Sequence, residues 1–329
     1  MLSLLTTALL ATVFLPPERA QPDARRDAPS GAPSSAEAPA PTLPTLPTLP
    51  SILVSTAWLA EHLDDSGLVV LHVAHRRSEY DAGHVPGARF LEYERIAPEV
   101  DGIPVELPSP ELLRRAFEDV GVGDGARVVL YGDPMSAARA WATLDWMGLG
   151  DRAAVLDGGL AAWRAERRRV TRQAPPPPVR GTLTVHAQPE RFVSASWVRE
   201  RLDDARYALV DARPAREYTG ADGGHDGMHA AGHIPGAHNL YWQELLVSRD
   251  DARLRPPAEL RARFAQAGVA PGDTVVAYCF IGMRASVTYF VSRLLGFPTR
   301  LYDGSWVDWS ARALPAVKGA APGTLSDVR

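Results

Sequence analysis

The chain of 329 residues has one cysteine, Cys279, set in Val275-Val276-Ala277-Tyr278-Cys279-Phe280-Ile281-Gly282-Met283-Arg284-Ala285-Ser286. Before it lies a short β-branched and aromatic run, and after it an apolar stretch closed by Gly296 and Pro298. These patterns predict a buried parallel strand feeding a helix, with the thiol at the strand's carboxyl end. Residues 279–284 then curl around whatever the sulfur holds. Backbone N–H groups and the positive end of the helix are directed at an anion there. Arg284 adds a cation, and such a setting favours thiolate, the nucleophilic form, over thiol. Gly282 permits a turn that a side chain would obstruct. The rival reading of a lone cysteine is an inert packing residue. A single thiol excludes an intrachain disulfide and a cysteine-cluster zinc site.

The elements that must hold this loop occur twice. Ser55-Thr56-Ala57-Trp58-Leu59 returns as Ser194-Ala195-Ser196-Trp197-Val198, and Gly83-His84-Val85-Pro86-Gly87-Ala88 as Gly232-His233-Ile234-Pro235-Gly236-Ala237. Val128-Val129-Leu130-Tyr131 returns as Val275-Val276-Ala277-Tyr278, and Asp157-Gly158-Gly159 as Asp303-Gly304-Ser305. The spacing places extra residues in the second copy, most naturally 221–230. Each copy alternates strand-like runs (68–73, 127–131, 153–156; 207–211, 274–278, 299–302) with helix-like ones, the pattern of an α/β fold with a parallel sheet. Ligands in such folds bind outside the carboxyl ends of the strands, where Cys279 stands. Pro175-Pro176-Pro177-Pro178 between the copies reads as a stiff linker.

Lys and Arg number 35 against 39 Asp and Glu, a net charge of −4, so no overall basic balance calls for a nucleic acid partner. The apolar run 2–15, followed by Pro16 and Pro17, has the length of an export signal and is too short for a stable membrane span. It lacks a preceding basic residue and a nearby A-x-A site. Two readings stand, an exported periplasmic protein and a cytoplasmic one with an irregular leader. Residues 21–51 are rich in Pro and Ala and end in a Pro-Thr-Leu near-repeat, which reads as an extended tether.

His84 and His233 precede the same turn in both copies, with or without a cysteine, which marks them as satisfied structural groups. Trp58 and Trp197 also recur and read as core packing. Asp211 and Arg213 read as a local pair, while Arg216 is a candidate second cation near the loop. His225, His229 and His233, with Asp222 and Asp226, have ligand-like spacing. The glycines among them argue against a helix that would align the imidazoles, so no metal site is assigned.

Tyr80-x3-His84-Val85-Pro86-Gly87-Ala88 and Tyr302-Asp303-Gly304-Ser305-Trp306-x-Asp308-Trp309 resemble the amino- and carboxyl-terminal signatures of the two-domain rhodanese family, the thiosulfate and 3-mercaptopyruvate sulfurtransferases. Asp308 stands where the usual pattern has Glu. The resemblance implies two tandem rhodanese-like domains, each a parallel β-sheet flanked by helices: 52–172, inactive and without a cysteine, and 182–318, catalytic. Residues 1–20 form a leader, 173–181 the linker and 319–329 a tail. It also implies that Cys279 takes a sulfane sulfur from thiosulfate as a persulfide and passes it to cyanide or a thiol, with no metal or organic cofactor. Phe280, Ile281, Gly282, Met283 and Arg284 would bind the substrate, with Arg216 as a further candidate, and Asp303 belongs to the structural motif. The first copy has Gly132-Asp133 in place of Cys279-Phe280, in a loop one residue shorter.

The cysteine loop matches neither subgroup pattern, C-R-K-G-V-T or C-G-S-G-V-T, and looks closer to a C-x-I-G-x-R variant associated with thiosulfate enzymes. The family's substrate arginine usually stands immediately before the aromatic residue, where this chain has Glu217. Alternatives left open are a 3-mercaptopyruvate sulfurtransferase, a non-catalytic sulfur carrier that hands sulfur to a protein thiol, and a phosphatase. The last is disfavoured because its loop is C-x5-R, one residue longer.

Overall fold

The computed structural model describes residues 49–100, 102–224 and 227–328. The expected leader, nearly all of the tether, His225 and Asp226 lie outside them.

The first copy runs β1 (Leu53–Val54), α1 (Thr56–His62), β2 (Leu68–Ala74), α2 (Arg77–Asp81), β3 (Arg89–Glu92), α3 (Pro110–Asp119), β4 (Arg127–Gly132), α4 (Pro134–Trp146), β5 (Ala153–Leu156) and α5 (Gly159–Ala165). The second runs β6 (Phe192–Val193), α6 (Ala195–Arg199), β7 (Tyr207–Asp211), α7 (Ala215–Tyr218), β8 (His238–Asn239), α8 (Pro257–Gln266), β9 (Thr274–Tyr278), α9 (Met283–Leu294), β10 (Thr299–Tyr302) and α10 (Ser305–Ala311). Each forms a five-stranded parallel sheet, in the orders β1-β5-β4-β2-β3 and β6-β10-β9-β7-β8. The central strands are nearly continuous apolar runs because helices cover both faces.

Short side-chain caps start the helices. Ser55 and Ser194 accept the N–H of Trp58 and Trp197, and Asp133 accepts those of Met135 and Ser136 ahead of Pro134. The two copies meet along α4 and α9. Both helices are buried along most of their length, so they are apolar or small nearly all round instead of amphipathic. Trp141 meets the Phe290 ring edge-on at 5.0 Å, and the Tyr289 hydroxyl donates to Asp145 at 2.5 Å. One apolar core thus runs through the seam.

Two arms cross that seam in opposite directions. Leu107 of the first copy donates its N–H to Asp303 at 2.8 Å, and Leu254 of the second donates to Asp157 at 2.9 Å. Asp157 and Asp303 are the repeated turn aspartates, so the exchange follows a pseudo-twofold relation. The two recurrent tryptophans are only half-buried. Trp58 stacks on His62, while Trp197 meets Tyr207 edge-on and lies under Arg201, and both pack against the core from its margin.

Candidate active site

Cys279 follows β9 directly and is fully buried. Its N–H donates to Ser305 Oγ at 3.1 Å, and that hydroxyl donates to the Tyr302 carbonyl at 2.9 Å. The carbonyls of Cys279 and Phe280 accept the N–H groups of Trp306 and Val307, each at 3.0 Å. With these carbonyls drawn toward α10, the amides of Ile281, Gly282, Met283 and Arg284 find no backbone acceptor among the described residues. The loop is therefore a ring of donors at the start of α9, a cradle for negative charge. Gly282 turns it with φ 81°, and a Cβ there would come within 2.8 Å of the Asp303 carbonyl.

Ser305 begins α10 with φ 51°, a left-handed conformation that costs a residue with a side chain about 1–3 kcal/mol. Its counterpart Gly159 has φ 54° and carries no such cost. The second copy keeps a strained serine where only a hydroxyl can hold the cysteine amide. In the first copy the chain passes from Tyr131 to the cap Asp133, whereas in the second it passes from Tyr278 to the cap Gly282. The first loop is thus two residues shorter than the second, where one was expected. Its Asp133 closes the helix end that the longer loop leaves open.

Arg284 makes a two-pronged ion pair with Glu217, NH1 to Oε1 and NH2 to Oε2 at 2.8 Å each. Burial works against its charge, but the Glu217 carboxylate and then the Cys279 sulfur push its pKa up. Arg216 is exposed, with no side-chain hydrogen bond or ion pair among the described residues. Asp211 and Arg213 form a fully buried fork whose closest contact is 2.6 Å. Arg213 also donates to the Gly232 carbonyl and lies over the Trp306 ring at 4.5 Å.

His84 and His233 are buried. Their Nδ1 atoms face the carbonyls of Tyr80 and Tyr218 at 3.0 and 2.8 Å, and their Nε2 atoms face those of Gln173 and Pro322. Each ring stacks on its own tyrosine at 3.7 Å. His229 lies edge-on to Phe280 at 5.1 Å.

Asp303 reaches across the seam to a buried ion pair with Arg139 of α4, whose other arm donates to the Val105 carbonyl at 2.7 Å. Tyr93, also from the first copy, buries a hydroxyl without a partner within reach of the charges of Arg139, Asp303, Asp133 and Cys279. Glu106 leaves one carboxyl oxygen unpaired, and burial followed by Asp303 pushes its pKa up to about 8. Sequence reasoning missed Ser305, Glu217, Arg139 and Tyr93 as parts of this neighbourhood. The Gly159-to-Ser305 difference between the repeats was a readable signal for the first. Glu217 was marked only as the position of a missing arginine, and no local signal marks Arg139 or Tyr93, which arrive by packing.

A buried thiol at the head of a strand-to-helix loop, whose following amides lack a backbone acceptor among the described residues, defines a cysteine-dependent group-transfer protein. A family model described as the rhodanese-like domain matches residues 55–166 and 194–312. The chain belongs to the rhodanese-like domain family. It is 33% identical over 281 residues to a sulfur carrier protein of Thermus thermophilus, covering 82% of this chain and 97% of the relative. It is 32% identical over 263 residues to a thiosulfate sulfurtransferase of Azotobacter vinelandii, covering 78% and 93%. A crystal structure of a 3-mercaptopyruvate sulfurtransferase from Escherichia coli superposes with a TM-score of 0.69 at 30% identity, over 78% of this chain and 99% of that one.

Proposed function

We propose that the protein is a sulfurtransferase that moves a sulfane sulfur from thiosulfate to cyanide or a thiol through a persulfide on Cys279. The observation that carries this reading is a buried thiol that opens a loop whose amides 281–284 have no backbone acceptor among the described residues. The Cys279 thiolate attacks the outer sulfur of thiosulfate. The sulfur–sulfur bond breaks, its electron pair leaves with sulfite, and a persulfide anion remains. Cyanide then takes the terminal sulfur as thiocyanate, or a thiolate takes it as a new persulfide, and the Cys279 thiolate returns. Amides from Phe280 to Arg284 hold the persulfide charge, and preorganised donors of this kind need no rearrangement during transfer. Arg284 stands at the start of α9 with both arms of its fork on Glu217, beside these amides. Asp211, Arg213, His84, His233 and Asp303 hold the scaffold, and the first copy walls the cleft.

Two of these relatives are named as sulfurtransferases and the third as a sulfur carrier protein. The likeness to the Escherichia coli enzyme favours 3-mercaptopyruvate as a second donor reading, and that to the Thermus protein favours delivery of the sulfur to a protein thiol. Replacing Cys279→Ser abolishes thiosulfate-to-cyanide transfer in a folded protein, while Asp133→Ala retains it. Transfer by the serine variant within tenfold of wild type would refute the assignment.

A further inference from the structure

The charge around the sulfur is closely balanced. Arg284 gives its fork to Glu217, whose side chain is only 11% exposed, so water does little to screen that carboxylate. Arg139 is spent on Asp303 and Arg213 on Asp211, both pairs buried. Arg216 is exposed, and bulk water screens it. What remains for a donor is the set of loop amides, flanked by the half-buried apolar side chains of Phe280, Ile281 and Met283. One negative charge suits such a cradle. A second would be stripped of water where Arg139, Arg213 and Arg284, among the described residues, are already paired.

We propose that Glu217 is a specificity-determining residue, which withdraws Arg284 from the donor and tunes the Cys279 site for donors with one negative charge and an apolar body, the organic thiosulfonates R–SO2–S⁻. This rests on the persulfide reading and deepens it. The Cys279 thiolate attacks the terminal sulfur of the thiosulfonate, and the sulfur–sulfur bond breaks with its electron pair leaving on the sulfinate R–SO2⁻. The persulfide anion forms, with two negative charges on each side and no further oxidant or reductant.

The test compares thiosulfate with benzenethiosulfonate, cyanide being the acceptor, in wild type and Glu217→Gln, with the sulfur load on Cys279 read by mass. Because the two donors differ in intrinsic reactivity, the readout is the change in their kcat/KM ratio. In the variant, thiosulfate should gain roughly five- to tenfold through KM while benzenethiosulfonate moves less than about twofold. In wild type, the thiosulfate KM should stay nearly flat between about 20 and 200 mM salt, a result that does not depend on the variant folding. An unmoved ratio in a folded variant, or a thiosulfate KM that climbs steeply with salt, overturns the role of Glu217 while leaving the persulfide reading intact. If neither donor loads Cys279, the persulfide reading itself falls, and this inference with it.

Discussion

Asp303, at the turn after β10, is gripped by Arg139 from the other copy, its second oxygen meeting NH2 at 3.0 Å, and both side chains are shut away from water. The same carboxylate accepts Leu107 N–H, and its backbone carbonyl packs beneath Gly282 of the cysteine loop. Arg139 in turn fixes the Val105 carbonyl, where the chain adopts φ 65°. The seam between the copies and the floor of the sulfur site are therefore one structure.

Breaking this pair from one side leaves a buried charge alone. Arg139→Met should cost about 3–5 kcal/mol in denaturant unfolding, and the double variant Arg139→Met with Asp303→Leu should recover part of the loss, because an uncompensated charge costs more than a missing pair. A single variant within about 1 kcal/mol of wild type would show that the pair contributes little to the seam.

Ser305 tests the strain argument. Ser305→Ala keeps the left-handed backbone and loses the hydroxyl that holds the Cys279 amide, so it should be destabilised by about 1–3 kcal/mol with a matching fall in kcat. Ser305→Gly loses the same hydrogen bond but relieves the backbone, and should be the more stable of the two by about 1 kcal/mol. Equal stabilities would mean that the φ of 51° carries no strain.

Two buried groups give stability opposite pH dependences. His72 is held down to about 4 by burial, with Glu79, His84, Arg164 and Asp133 facing it. Its folded value lies below its unfolded value of 6.5, so its contribution is complete above that pH and is lost as pH falls toward 4. The loss is about 3 kcal/mol at most. Glu106 is raised, so its contribution is complete below 4.5 and is lost as pH rises toward 8. Glu106→Gln should therefore raise Tm at pH 8 by about 2–4 °C and leave it unchanged at pH 4, as calorimetry at the two pH values will show. An equal shift at both would assign the effect to packing instead of ionisation.

Much of the fold was legible because it is written locally and twice. The strands 153–156, 207–211, 274–278 and 299–302 stand where the apolar runs placed them, and β2 and β4 each extend one residue further. The helix after the cysteine, expected over the apolar run 285–295, starts two residues earlier at Met283, with Gly282 as its cap. Contacts with partners far along the chain were not legible. Glu217 and Arg284 lie 67 positions apart and Arg139 and Asp303 164 apart, and nothing in either neighbourhood names its partner. Glu217 read only as a missing arginine, yet the fold makes it the counter-ion of the loop's own cation.

The most direct test of the central claim is the intact mass of the purified protein before thiosulfate, after thiosulfate and then after cyanide. The account predicts a gain of one sulfur that maps to Cys279, its complete removal by cyanide, and no gain in Cys279→Ser. Sulfur that fails to appear, or that loads the serine variant equally, would contradict a Cys279 persulfide.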